Sequence, residues 1–131
     1  MILDNNILFA LMKPDSAASA IFKLWFTFEA PQFVLSEFGE HENECLKKSG
    51  LTRKQFIGRK AEVFNRIKLV EFGSYKKFLK KALDVVEDED DAPYVALALA
   101  TGTPIWSNDS SLKKTQGIAV LSTEDVVNLL G

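Results

Sequence analysis

Short apolar runs alternate with longer amphipathic stretches along the whole chain. Met1 to Leu3 predicts a short buried strand, and Asn6 to Met12 a helix stopped before Pro14. Ala17, Ala20, Ile21, Leu24, Trp25 and Phe28 recur at helical spacing. They predict a second helix, capped by Asp15 or Ser16 and running to about Phe26. Beyond Pro31, Phe33-Val34-Leu35 predicts a second strand, and Glu37 to about Lys48 a helix ended by Gly50. Thr52 caps a helix from Arg53 to Arg66, whose apolar stripe includes Phe56, Ile57, Ala61 and Phe64. Ile67 to Phe72 is β-branched and aromatic enough for a strand, and Ser74 caps a helix to about Val86. Asp90 or Asp91 opens the most apolar helix, Ala92 to Ala100, with Pro93 in its first turn and Gly102 at its end. Pro104-Ile105-Trp106 predicts a strand, Asp109 to Lys114 a short helix, Gly117 to Leu121 a last strand, and Ser122 the cap of a final helix, Glu124 to Leu130. Strands that alternate with helices predict an α/β fold with a parallel sheet covered on both faces.

Composition narrows this picture. The 131 residues show no repeat or long linker and suit one domain, residues 1–131. A hydrophobic share of 47% is enough for a core, which excludes wholesale disorder. Trp25, Phe26 and Phe28 suit packing or a dimer contact better than base stacking. A lone cysteine, Cys45, forms no internal disulfide, and no signal-peptide pattern or membrane-length apolar stretch is present. A cytoplasmic protein with no membrane association is expected. Net charge is −2, but its distribution is uneven: between Lys47 and Lys81 stand twelve basic residues and only two acids, Glu62 and Glu71. Two readings stand for this stretch, a phosphate-attracting surface and a solvated face of lysine-rich helices.

Four acidic residues adjoin apolar runs: Asp4, Glu37, Asp91 and Asp109. Ligands of open parallel sheets sit at the C-terminal ends of the strands, where all four carboxylates can meet. A carboxylate beside apolar sequence is costly unless hydrated, paired or bound to a cation. A cluster of four points to a divalent metal, and metal on carboxylates points to phosphoryl chemistry. Each acid also has a structural reading. Asp4, Asp91 and Asp109 suit helix caps, and Glu37 suits a first helical turn favoured by the helix dipole. Supporting candidates are Asn6, which orients Asp4 or bonds a helix terminus, and Ser107, at a strand end. His41 stands one helical turn from Glu37, where it either faces solvent or supports the site.

In these residues the chain resembles the PIN domain (PilT N-terminus-like), a metal-dependent nuclease fold that includes the VapC-type toxins. Ile2-Leu3-Asp4-Asn5-Asn6 resembles the family's opening strand with Asp-x-Asn, and Leu35-Ser36-Glu37-Phe38 its second acidic position. Asp91 through Ala98 resembles the helix that begins with the third acid, and Ile105 through Asp109 the Ser-x-Asp strand end. The resemblance implies a three-layer α/β/α sandwich, Mg²⁺ or Mn²⁺ held by Asp4, Glu37, Asp91 and Asp109, and hydrolysis of RNA. It also implies a homodimer and, for a toxin, an antitoxin protein as partner. Members often carry a further acid where Ser111 stands. Within the run Glu87 to Asp91, Asp91 has the family's spacing to Ala96 and Ala98, with Asp88 the alternative and Asp90 as a helper. The competing readings are an RNA-processing nuclease that is not a toxin and a silent binding or dimerisation module. A dehalogenase-type phosphatase is disfavoured because Asn6 stands where it needs a second Asp.

Overall fold

The computed structural model describes residues 1–25 and 27–131; the expected end of the second helix at Phe26, and that residue's packing, lie outside them. From the N-terminus the elements are β1 (Ile2–Leu3), α1 (Asn5–Leu11), α2 (Ala17–Leu24), β2 (Phe28–Pro31), α3 (Phe33–Glu40), α4 (Glu42–Ser49) and α5 (Arg53–Asn65). There follow β3 (Ile67–Val70), α6 (Leu79–Val85), α7 (Ala92–Thr101), β4 (Ile105–Trp106), α8 (Ser110–Lys113), β5 (Val120–Leu121) and α9 (Thr123–Leu130). The five strands form one sheet in the order β3-β2-β1-β4-β5. Every pair is parallel, and the sheet is flanked by helices as the alternation predicts. Among the described residues no helix is long and apolar enough to cross a membrane.

The core follows from placement. Helix α7 packs against β1, β2, β4 and α6, so residues Ala92 and Tyr94 to Ala98 are all buried. An all-round apolar helix is stable only when enclosed in this way. Trp106 is fully buried on β4, and its indole N–H donates to Thr123 Oγ1 at 3.1 Å, tying the sheet to the start of α9.

Four expectations change. The second strand is Phe28–Pro31, and Phe33-Val34-Leu35 begins helix α3 instead. Val34 and Phe38, four apart, are buried while Leu35 is exposed, which is a helical period that a three-residue apolar run does not reveal. The expected helix from Glu37 to Lys48 is two helices, with the chain bending at His41 between α3 and α4. Ser74 lies inside a 3₁₀ turn, Phe72–Ser74, instead of capping a helix, and a second such turn, Lys76–Phe78, leads into α6. Two strands are also shorter than expected, β3 stopping at Val70 and the last strand covering Val120–Leu121 alone.

Candidate active site

Strands β1 and β4 lie side by side where the sheet's order reverses, with β2 and β3 added on one side and β5 on the other. Crevices at the C-terminal ends of parallel strands open at such a switch point. Leu3 is in register with Trp106, so Asp4 and Ser107 leave the sheet next to each other. The Ser107 hydroxyl donates to Asp4 Oδ2 and accepts from the Asp109 N–H at 3.1 Å. Asp4 Oδ1 accepts the Ile7 N–H at 2.9 Å and caps α1. Asp109 caps α8 through the Ser111 N–H (2.9 Å) and hydroxyl (2.8 Å). At both acids the capping role is therefore real and fixes the carboxylate in place.

The other two acids come from helices. Asp91 precedes α7 and makes no capping hydrogen bond. Glu37 stands in the second turn of α3, away from the strand-to-helix junction expected for it, because that helix begins at Phe33. Its carboxylate accepts the Tyr94 hydroxyl at 2.5 Å. Asp4, Glu37, Asp91 and Asp109 line one pocket of about 340 Å³. Asn6, His41 and Asp88 from the supporting group also line it, and Ser107 reaches it through Asp4. A larger hollow of about 530 Å³ lies by the N-terminal starts of β1, β2 and β3. It holds one carboxylate, Glu29, beside Arg66 and Lys68, and so lacks the convergent acids that chemistry on a phosphate needs.

Burial and mutual repulsion act on the acid pocket together. Asp4 is pushed up to about 6, first by burial and then by Asp109, against the pull of its hydrogen bonds from Ser107 and Ile7. Asp91 is pushed up to about 7 by burial and by the charges of Asp109, Asp88, Asp4 and Glu37. Glu37 is raised by burial, with Asp90 and Asp4 adding, while Tyr94 pulls it down. Such a group gains from any positive charge. Among the described residues, no three His, Cys, Asp or Glu side chains are disposed to grip one ion together. The donor chemistry nonetheless fits a hard cation, since the facing atoms are carboxylate oxygens. Asn5 adds to the fit: it lines the pocket, and its buried side-chain oxygen has no hydrogen-bond partner among the described residues. Buried acceptors of this kind are ordinarily satisfied by water or an ion.

Four pocket residues escape the sequence reading, Asn5, Phe9, Glu44 and Tyr94, while Asp90, expected as a helper to Asp91, stands in the wall. Tyr94 reads as core because its helix is apolar, yet a buried tyrosine needs a partner for its hydroxyl, and that signal was available. The basic stretch does not form one face at the pocket. Arg59 donates to the Leu11 carbonyl (2.8 Å) and to Ser19 Oγ (3.1 Å). Arg66 donates to the Phe22 and Trp25 carbonyls and lies 4.3 Å over the Phe22 ring. Lys68 lies at the opposite end of the sheet.

A family model described as the PIN domain matches residues 2–130. No curated protein matches the chain. Among solved structures, the crystal structure of VapBC2 from Rickettsia felis, bound to a DNA fragment from their promoter, is similar with a TM-score of 0.64. The likeness covers 92% of this chain and 96% of that one at 16% identity, and it concerns the fold.

Proposed function

Since the chain belongs to the PIN domain family over residues 2–130, we propose that it is a Mg²⁺- or Mn²⁺-dependent endoribonuclease with Asp4, Glu37, Asp91 and Asp109 as its catalytic carboxylates. The observation that carries this reading is the convergence of four acids, from four separate segments, on one pocket where burial and neighbouring charge raise the pKa values of Asp4, Glu37 and Asp91. A bound divalent ion supplies charge neutralisation on the phosphate and an activated water.

The chain's own residues divide the remaining work. Ser107 holds Asp4, and Ser111 holds Asp109, so these two form the fixed wall. Asp91 has no capping bond to break, and Glu37 is held by one hydroxyl. Asp91 can turn toward a cation at low cost, whereas Glu37 keeps Oε1 on the buried Tyr94 hydroxyl and has Oε2 to offer. Asp88 and Asp90 keep the rim acidic, while Asn6 and His41 are side-chain donors on the wall that suit contact with a phosphate or ribose. The finer reading is the toxin of a toxin–antitoxin pair, acting in the cytoplasm as a homodimer and silenced by a small antitoxin over the pocket. It rests on the family resemblance and the likeness to VapBC2.

The test is cleavage of a mixed structured RNA by purified protein with Mg²⁺, Mn²⁺ or EDTA. The proposal expects metal-dependent cutting, reduced on the order of a hundredfold or more in Asp4→Asn and Asp91→Asn. Cutting that persists in EDTA, or in both variants, contradicts it.

A further inference from the structure

The acidic pocket ends at Phe9. This half-buried ring lines the acid pocket on one side and a depression of about 110 Å³ on the other. The depression is completed by Ala10, Cys45, Lys13 and Lys48. Its floor is uncharged: a thiol is protonated at neutral pH, and burial raises that of Cys45 further, to about 11. The ring of Phe9 is held by T-shaped contacts with Phe38 at 5.4 Å and His41 at 6.4 Å. Lys13 makes no ion pair among the described residues. Lys48 pairs with Glu44 at 2.8 Å, one turn away on the exposed face of α4, and such a pair yields easily to a stronger anion.

Phe9 thus separates a carboxylate pocket from a small hollow walled by apolar side chains and two lysines. A single nucleic-acid strand carries a base between successive phosphates, which matches such a sequence of surfaces. Proteins that hold single strands pair stacking aromatics with cations in this way. We propose that the depression is a nucleotide subsite for single-stranded RNA. The base next to the scissile phosphate stacks on Phe9 over Ala10 and Cys45, and Lys13 with Lys48 holds the phosphate beyond it. The inference rests on the nuclease reading of the acid pocket. A base inside a duplex is already stacked and cannot enter, so the subsite selects unpaired RNA.

The test is fluorescence anisotropy of a labelled single-stranded RNA, with Ca²⁺ replacing Mg²⁺, across a salt series. Wild type is compared with Lys13→Ala, Phe9→Leu and Lys68→Ala, each checked by thermal melting. Lys13→Ala is expected to bind about fivefold to tenfold more weakly, with a salt slope smaller by about 0.7. Phe9→Leu is expected to weaken binding about tenfold with an unchanged slope, an effect lost on an oligonucleotide of abasic sites. Lys68→Ala, at the far end of the sheet, leaves binding unchanged. If wild type cuts and binds RNA while Lys13→Ala and Phe9→Leu bind equally well, the subsite is overturned and the nuclease reading survives. If wild type neither binds nor cuts RNA, both fall. Should Phe9→Leu melt early, Lys13→Ala decides alone.

Discussion

At the scale of single residues, the site is made of carboxylates held to different degrees. Asp4 and Asp109 are anchored by caps and serines, whereas Glu37 depends on the Tyr94 hydroxyl. That hydrogen bond favours the ionised form and holds Glu37 below where burial alone would leave it. In Tyr94→Phe the Glu37 pKa therefore rises. The acid limb of the pH–rate profile moves to higher pH, so turnover falls most on the acid side and recovers as pH rises. A uniform loss across the profile would contradict this. Asp4, Asp91 and Asp109 were legible because each adjoins an apolar run. Asn5 was not, because Asp-x-Asn draws the eye to Asn6; the phase of α1 buries Asn5 and exposes Asn6.

At the scale of elements, helix ends were the most legible features. Ser16, Thr52 and Ser122 each accept the N–H three residues on, and Gly50 and Gly102 end their helices in the left-handed conformation. Both are interactions between near neighbours in sequence, and so sequence carries them. Helix α5 depends on a reciprocal capping box: Thr52 Oγ1 accepts from the Gln55 N–H (3.2 Å), and Gln55 returns to the Thr52 N–H (2.9 Å). Thr52→Ala should cost about 1 kcal/mol in denaturant unfolding and leave RNA cleavage unchanged, since Thr52 is no part of the pocket. The boundary between β2 and α3 was illegible for the opposite reason. A strand of four residues ending at Pro31 is fixed by pairing with Ile67–Val70, a partner far along the chain. That error displaced Glu37 by a full helical turn from its expected setting.

At the scale of the whole molecule, topology does what no segment can do alone. Acids separated by up to 105 positions meet because β1 and β4 are neighbours and α3 and α7 start near the same sheet edge. The alternation of elements made the parallel sheet legible, but strand order and the scatter of the basic stretch are tertiary facts. On the proposed reading these carboxylates act as one cation site. With Asp91 at about 7 and Asp4 at about 6, both are protonated as pH falls, and a cation must displace those protons to bind. Calorimetric titration with Mn²⁺ at about pH 7.5 and about pH 5.5, for wild type and Asp91→Asn, tests this most directly. Binding with proton release is expected at the higher pH, with affinity at least about tenfold weaker at the lower pH and a comparable loss in Asp91→Asn at about pH 7.5. Absence of Mn²⁺ binding at both pH values, or equal binding by Asp91→Asn, would contradict it.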